Sequence, residues 1–186
     1  MTNRLLSTPQ ADDELESLDS DDELLKYLDQ LAPHIGWIVI YFNSLEDIVS
    51  LCIREAILRD PYQDERMDVF LSEMLFSAKC RSLMHLYGQL IESGGVKFTQ
   101  VELTRLEEML IECSKRRNEY AHADWIGLRK GSYVRVKSQS KKQGISHRYK
   151  KFELEQVESD IEFISNARDV LGDFNEKITN QLWGRE

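Results

Sequence analysis

Four long stretches of this chain space their apolar residues at intervals of three and four, a period that dictates helices. Over 33–58 the series is Ile35, Ile38, Phe42, Leu45, Ile48, Val49, Cys52 and Ala56. Over 64–93 it includes Val69, Phe70, Met74, Phe76, Cys80, Leu83, Met84, Tyr87, Leu90 and Ile91. Leu103, Leu106, Leu110, Cys113 and Ala121 mark a helix over 99–122. Ile161, Ile164, Ala167, Leu171, Phe174, Ile178 and Leu182 mark another over 153–182. A shorter helix is expected over 22–31. Pro33 suits the opening turn of the helix after it. Asp60-Pro61 breaks the chain, and Gly94-Gly95 closes the second long helix.

Between the last two helices the period changes. Ser132 to Ser138 reads Ser-Tyr-Val-Arg-Val-Lys-Ser, and Ser146 to Phe152 reads Ser-His-Arg-Tyr-Lys-Lys-Phe. The connector 139–145 is polar and contains Gly144, so a β-hairpin is expected, with a connection longer than the tight two-residue class. The expected fold is mainly α: an up-and-down bundle of four to five helices, with a small basic β-hairpin inserted before the last helix. Residues 24–186 form a single helical domain in this reading, and residues 1–23 an acidic, flexible arm. A length of 186 residues is enough for one domain with a proper core.

Charge is unevenly spread. The chain carries a net −9, yet 115–151 holds 12 of its 24 Lys and Arg against two acids, Glu119 and Asp124, a local net of 12 − 2 = +10. Apart from Arg117, those cations are Lys115, Arg116, Arg129, Lys130, Arg135, Lys137, Lys141, Lys142, Arg148, Lys150 and Lys151. They alternate with Tyr133, Val134, Val136, Tyr149 and Phe152. Cations with interleaved aromatics suit a nucleic-acid surface. A solvated edge hairpin that uses Lys against aggregation has the same composition, and both readings stay open. Between Asp12 and Glu23 stand eight acids and no base. This is either a solvated arm or a flap that competes with RNA for the basic face.

Cys52, Cys80 and Cys113 each fall inside an apolar helical pattern. Their odd number and spacing fit no metal motif, so they read as reduced core residues of an intracellular protein. The longest apolar run, Trp37 to Phe42, is too short to span a bilayer, and no signal peptide is visible. A cytoplasmic location without membrane attachment is expected. No Gly-rich phosphate loop occurs, and no metal or other cofactor is expected. His34 and His85 read as structural. The early turns of the second helix, with Trp37, Val39, Ile40 and Tyr41, are apolar nearly all round and suit a second contact surface.

The basic block opens at the end of the third long helix, with Arg117-Asn118-Glu119-Tyr120-Ala121-His122. A wheel at roughly 100° per residue puts Arg117 on the apolar stripe, where Arg is seldom found without a partner. Asn118 and His122 lie roughly 100° and 140° round from it, His122 the farthest from the stripe, so that the three could form a polar patch beside the core face. Arg supplies a planar fork of donors for phosphate oxygens, and His a proton donor or acceptor near neutral pH. In the bland alternative Arg117 pairs with a buried carboxylate such as Glu46 or Glu55, and His122 only caps the helix.

This run resembles the Arg-(polar)-x-x-x-His motif of HEPN domains, small helical proteins common in prokaryotic toxin–antitoxin, abortive-infection and other antiviral systems. Trp125 soon after the motif, the basic hairpin and the long final helix extend the likeness over about residues 34–182. The resemblance implies a metal-independent endoribonuclease whose active cleft lies between the motif helices of a homodimer. Arg117 and His122 would be its catalytic pair and Asn118 the supporting polar residue. An antitoxin or other regulatory protein would restrain it. Asp124 stands where one branch of the family has Tyr, so that branch's antitoxin and tyrosine modification are not implied. The alternative is a non-catalytic module that binds RNA or a nucleotide, or regulates a partner protein.

Overall fold

The computed structural model describes residues 3–18, 20–142 and 144–184. Among these the order is β1 (Asn3–Ser7), α1 (Thr8–Glu14), α2 (Asp21–Ile57), α3 (Arg66–Leu71), α4 (Phe76–Glu92), α5 (Gln100–Ala121), β2 (Asp124–Arg129), β3 (Tyr133–Lys141), β4 (Gly144–Lys151) and α6 (Leu154–Trp183). All four strands join one antiparallel sheet in the order β1-β4-β3-β2. This corrects the expected bundle of four to five helices with a small hairpin, because the described chain has six helices and twice the strands.

Each difference has a physical cause. β1 is only five residues long, too short to show a period, and pairs from Asn3↔Lys150 to Ser7↔Ser146. The N-terminal segment therefore enters the sheet. β2 contains Gly127, and its pairing with β3 shifts register between Asp124 and Arg129, which hides its alternation. The β3–β4 connection is tight, not long: Lys141 pairs with Gly144, whose φ is +121°.

α2 runs unbroken through Pro33, merging two expected helices. Proline removes one intrahelical bond, and here it lies on the exposed side. The His34 ring nitrogen Nδ1 sits 3.0 Å from the Gln30 carbonyl oxygen one turn back. The third expected helix is split into α3 and α4. At the break the Ser72 hydroxyl donates to the Val69 carbonyl at 3.3 Å, a local bond that competes with helix continuation.

The chain divides into two compact units, one of residues 1–39 and 116–162, the other of 40–115 and 163–186. In the first, Leu6, Ala11, Leu15 and Tyr149 bury together, with Tyr133 packed on them. A second aromatic cluster joins Tyr120, Trp125 and Phe152, with centroids 4.9 Å apart for Tyr120–Phe152 and 5.0 Å for Trp125–Phe152. Tyr27 donates to the Phe152 carbonyl at 3.2 Å, and burial pushes its hydroxyl up to about 12.

In the second unit Phe42 packs on Phe76 at 4.6 Å, and the buried Lys79 pairs with Glu46 at 2.8 Å. The Tyr87 hydroxyl donates to Asn175, which in turn donates to Glu55. Cys52, Cys80 and Cys113 are buried and form no disulfide. Burial raises Cys52 and Cys80 to about 12.

An 18-residue stretch of α2 reaches a mean hydropathy of 1.4 with at most two charges, so by length and composition alone it could cross a membrane. The uninterrupted run Trp37–Phe42 misses this, because the stretch is apolar on average and not throughout. Core helices of soluble proteins pass the same test, and α2 buries Leu31, Ile38, Phe42, Leu45, Val49 and Cys52 at helical spacing.

Candidate functional site

The last turn of α5 is held by a buried carboxylate on α6. Asp160 is 2% exposed and accepts three bonds: Arg116 Nη1 at 2.8 Å, the Tyr120 hydroxyl at 2.6 Å and Gln156 Nε2 at 3.0 Å. Burial, reinforced by the bond to Asp160, raises the Tyr120 hydroxyl well above the usual tyrosine range. Trp125 Nε1 donates to the Tyr120 carbonyl at 2.9 Å, satisfying one of the carbonyls a helix end leaves open. Its ring stacks on Tyr120 at 6.4 Å and 12°. Glu119, one residue earlier, accepts Arg148 at 2.8 Å and Lys150 at 2.7 Å, fastening β4 to α5.

On this anchored turn the sequence motif is only partly joined. Arg117 continues the stripe of Leu103, Leu106, Leu110 and Cys113 and is half-buried. Its Nη1 donates to Asn118 Oδ1 at 3.0 Å. Asn118 and His122 are exposed, and the His122 backbone N–H donates to the Asn118 carbonyl at 3.1 Å. The His122 ring makes no side-chain hydrogen bond among the described residues. Glu46 and Glu55, the carboxylates considered for Arg117, are engaged by Lys79 and Asn175. It is the neighbouring Arg116 that holds a buried acid.

Most of the basic block is paired within the chain. Lys115 bonds Glu112, Arg116 Asp160, Arg129 Asp12, Lys130 Glu16, Arg135 Asp124, Arg148 and Lys150 Glu119, and Lys151 Glu153. Arg129 also donates to Ser17 Oγ at 2.9 Å, and the Lys130 N–H to the Glu16 carbonyl at 2.8 Å. The acids of the N-terminal segment thus already lie on two of the cations. Lys137 and Lys142 are exposed and make no ion pair among the described residues. The side chain of Lys141 lies outside the described residues.

The turn after His122 carries geometry of its own. The Asp124 carboxylate accepts the Gly127 N–H at 3.1 Å and the Arg135 guanidinium. A Cβ on Gly127 would stand 2.7 Å from Asp124 Oδ2, so a larger residue there would have to displace the carboxylate. Asp124, Gly127 and Arg135 line a cleft of about 560 Å³ that also includes Ser17, Leu24 and Tyr149. Among the described residues no three His, Cys, Asp or Glu side chains are grouped as a metal site would require.

Comparison with known protein families, with curated proteins and with solved structures gives no match for this chain. The resemblance to HEPN domains therefore rests on the motif and its surroundings alone.

Sequence reasoning passed over Asp160 and the Asp124 turn. For Asp160 a signal existed: Val157, Asp160, Ile164, Ala167 and Leu171 continue the three-four period and are all buried, whereas Ile161, taken for that stripe, is only half-buried. An acid on a buried stripe announces a buried partner. For Asp124 the spacing to Gly127 has no period to betray it.

Proposed function

We propose that this chain is a metal-independent endoribonuclease acting as a cytoplasmic homodimer, in a defence or toxin–antitoxin setting and with a regulatory protein as its restraint. The observation that supports it best is the pairing of Arg117 with Asn118 beside an exposed, uncommitted His122 on a rigidly anchored helix end. Cleavage through the RNA's own 2′-hydroxyl needs a base for that proton, an acid for the departing 5′-oxygen, and positive charge on the phosphorane. The 2′-oxygen bonds to phosphorus as the bond to the 5′-oxygen breaks, giving a 2′,3′-cyclic phosphate and a 5′-hydroxyl. One chain offers one histidine for two proton transfers, and a two-fold pair of chains offers both. Arg117 would bind the non-bridging oxygens, and Asn118 would orient Arg117.

The test is cleavage of a mixed RNA pool in EDTA, comparing wild type with His122→Ala and identifying the product ends. Cyclic phosphates from wild type alone support the reading. Equal cleavage by both proteins, or none by either, overturns it.

The pairing of eight basic side chains with carboxylates of the same chain favours a second reading. In that reading the chain is a non-catalytic module that holds RNA or a nucleotide, or regulates a partner, through a smaller surface. His122→Ala would then leave binding unchanged.

A further inference from the structure

We propose that the cleft beside Asp124 is a base pocket selective for guanine. Its place in an RNA substrate rests on the ribonuclease reading above; its ligand chemistry rests on the cleft itself. A volume of about 560 Å³ falls within the roughly 300–1,000 Å³ of small-molecule sites. Leu24, Ile126 and Tyr149 give it apolar wall, and Ile126 is 75% exposed. Among the described residues the lining holds two carboxylates, Asp21 and Asp124, and two guanidiniums, Arg129, which also bonds Asp12, and Arg135. A lining that mixes acceptors with donors, and is not built of cations alone, suits a nucleobase better than a phosphate.

Asp124 decides which base. One oxygen accepts the Gly127 N–H and the other accepts Arg135, and each keeps a second lone pair. The bonds from the Gly127 N–H and from Arg135 orient the carboxylate. Two adjacent acceptors at fixed spacing match the two adjacent donors of guanine, the ring N1–H and the exocyclic amino group. Adenine, cytosine and uracil have no such pair of donors on neighbouring atoms. Arg135 stands beside the carboxylate with further N–H donors for the base oxygen. Asp124 follows His122 by two residues, so a base held here belongs to a nucleotide adjoining the bond that is cut.

The experiment is calorimetric titration of the full chain with GMP, AMP, CMP and UMP, with amide shifts followed by NMR. GMP is expected to bind about tenfold or more tighter than the others and to shift the amides of Asp124 and Gly127. In Asp124→Ala, checked for folding by circular dichroism, GMP falls to the level of the other nucleotides. Equal binding of all four by wild type, no binding, or an unchanged GMP preference in folded Asp124→Ala overturns the pocket. If Asp124→Ala does not fold, the wild-type ranking and the shifted amides decide. GMP preference without RNA cleavage overturns the ribonuclease reading and leaves the pocket standing. Cleavage without GMP preference, in binding or at the cut site, overturns the pocket alone.

Discussion

The Tyr120 hydroxyl donates to the buried carboxylate of Asp160 at 2.6 Å, on the oxygen opposite the one that Arg116 engages. Removing the acid strands both donors. Asp160→Ala should lower stability by about 3 kcal/mol, the low end for breaking a buried ion pair, because Arg116 keeps 26% of its side-chain surface in water. Tyr120→Phe loses one bond and should cost about 1 kcal/mol. Urea unfolding of both variants measures the difference.

Gly127 and Asp124 should be energetically coupled. Gly127→Ala puts a methyl group against the Asp124 carboxylate at 2.7 Å, and overpacking of this kind costs about 1–3 kcal/mol. In an Asp124→Ala background the same change should cost much less. A double-mutant cycle with a coupling of about 1 kcal/mol or more is expected, and additive effects would contradict the contact.

Loss of His122 should be severe if the shared site is correct. His122→Ala is expected to slow RNA cleavage by about 10²–10⁴-fold, and Arg117→Lys should fail to restore what Arg117→Ala loses, since lysine lacks the planar fork. Adding excess His122→Ala chains to wild type should depress activity below the wild-type share, as mixed dimers form. Activity in simple proportion to the wild-type share would argue that each chain works alone.

Salt should reveal how few cations are available to RNA. If Arg117, Lys137 and Lys142 carry the phosphate contacts, log K should fall against log salt with a slope of about −2. All twelve cations of the block would give a slope of about −8. Fluorescence anisotropy with single-stranded RNA over a salt series distinguishes these, and charge reversal at Lys137 and Lys142 should weaken binding more than Arg148→Gln.

Alkaline pH should weaken the fold. Burial raises Cys52 and Cys80 from 9.0, and Tyr27 from 10.0, to about 12 in the folded chain. The folded state then binds more protons than the unfolded state above pH 9, so stability is intact below that pH and declines as pH rises toward 12. Thermal melts at stepped pH test this. The same burial should leave all three thiols inert to alkylation until the chain unfolds.

The helices were legible wherever burial repeats at three and four, and α5 and α6 fall within a residue or two of their expected limits. What was not legible depends on partners distant in sequence. β1 becomes a strand because β4 offers it an edge, and Pro33 stays inside α2 because the neighbouring turns outweigh one lost bond. The candidate site divides the same way. Arg117, Asn118 and His122 share one local spacing and were visible at once. Asp160 acquires its role from α5, and the fate of each lysine depends on which acid the fold sets beside it.

The pairing of Asn3 with Lys150 spans 150 − 3 = 147 residues of a chain that is made from its N-terminus. During synthesis the first strand leaves the ribosome long before its partner exists, and it waits as an unpaired edge until β4 has followed. Closing so long a loop makes the outer strand a late step in folding. The interval before it closes is when a nascent chain of this design is most exposed to aggregation and most open to a chaperone.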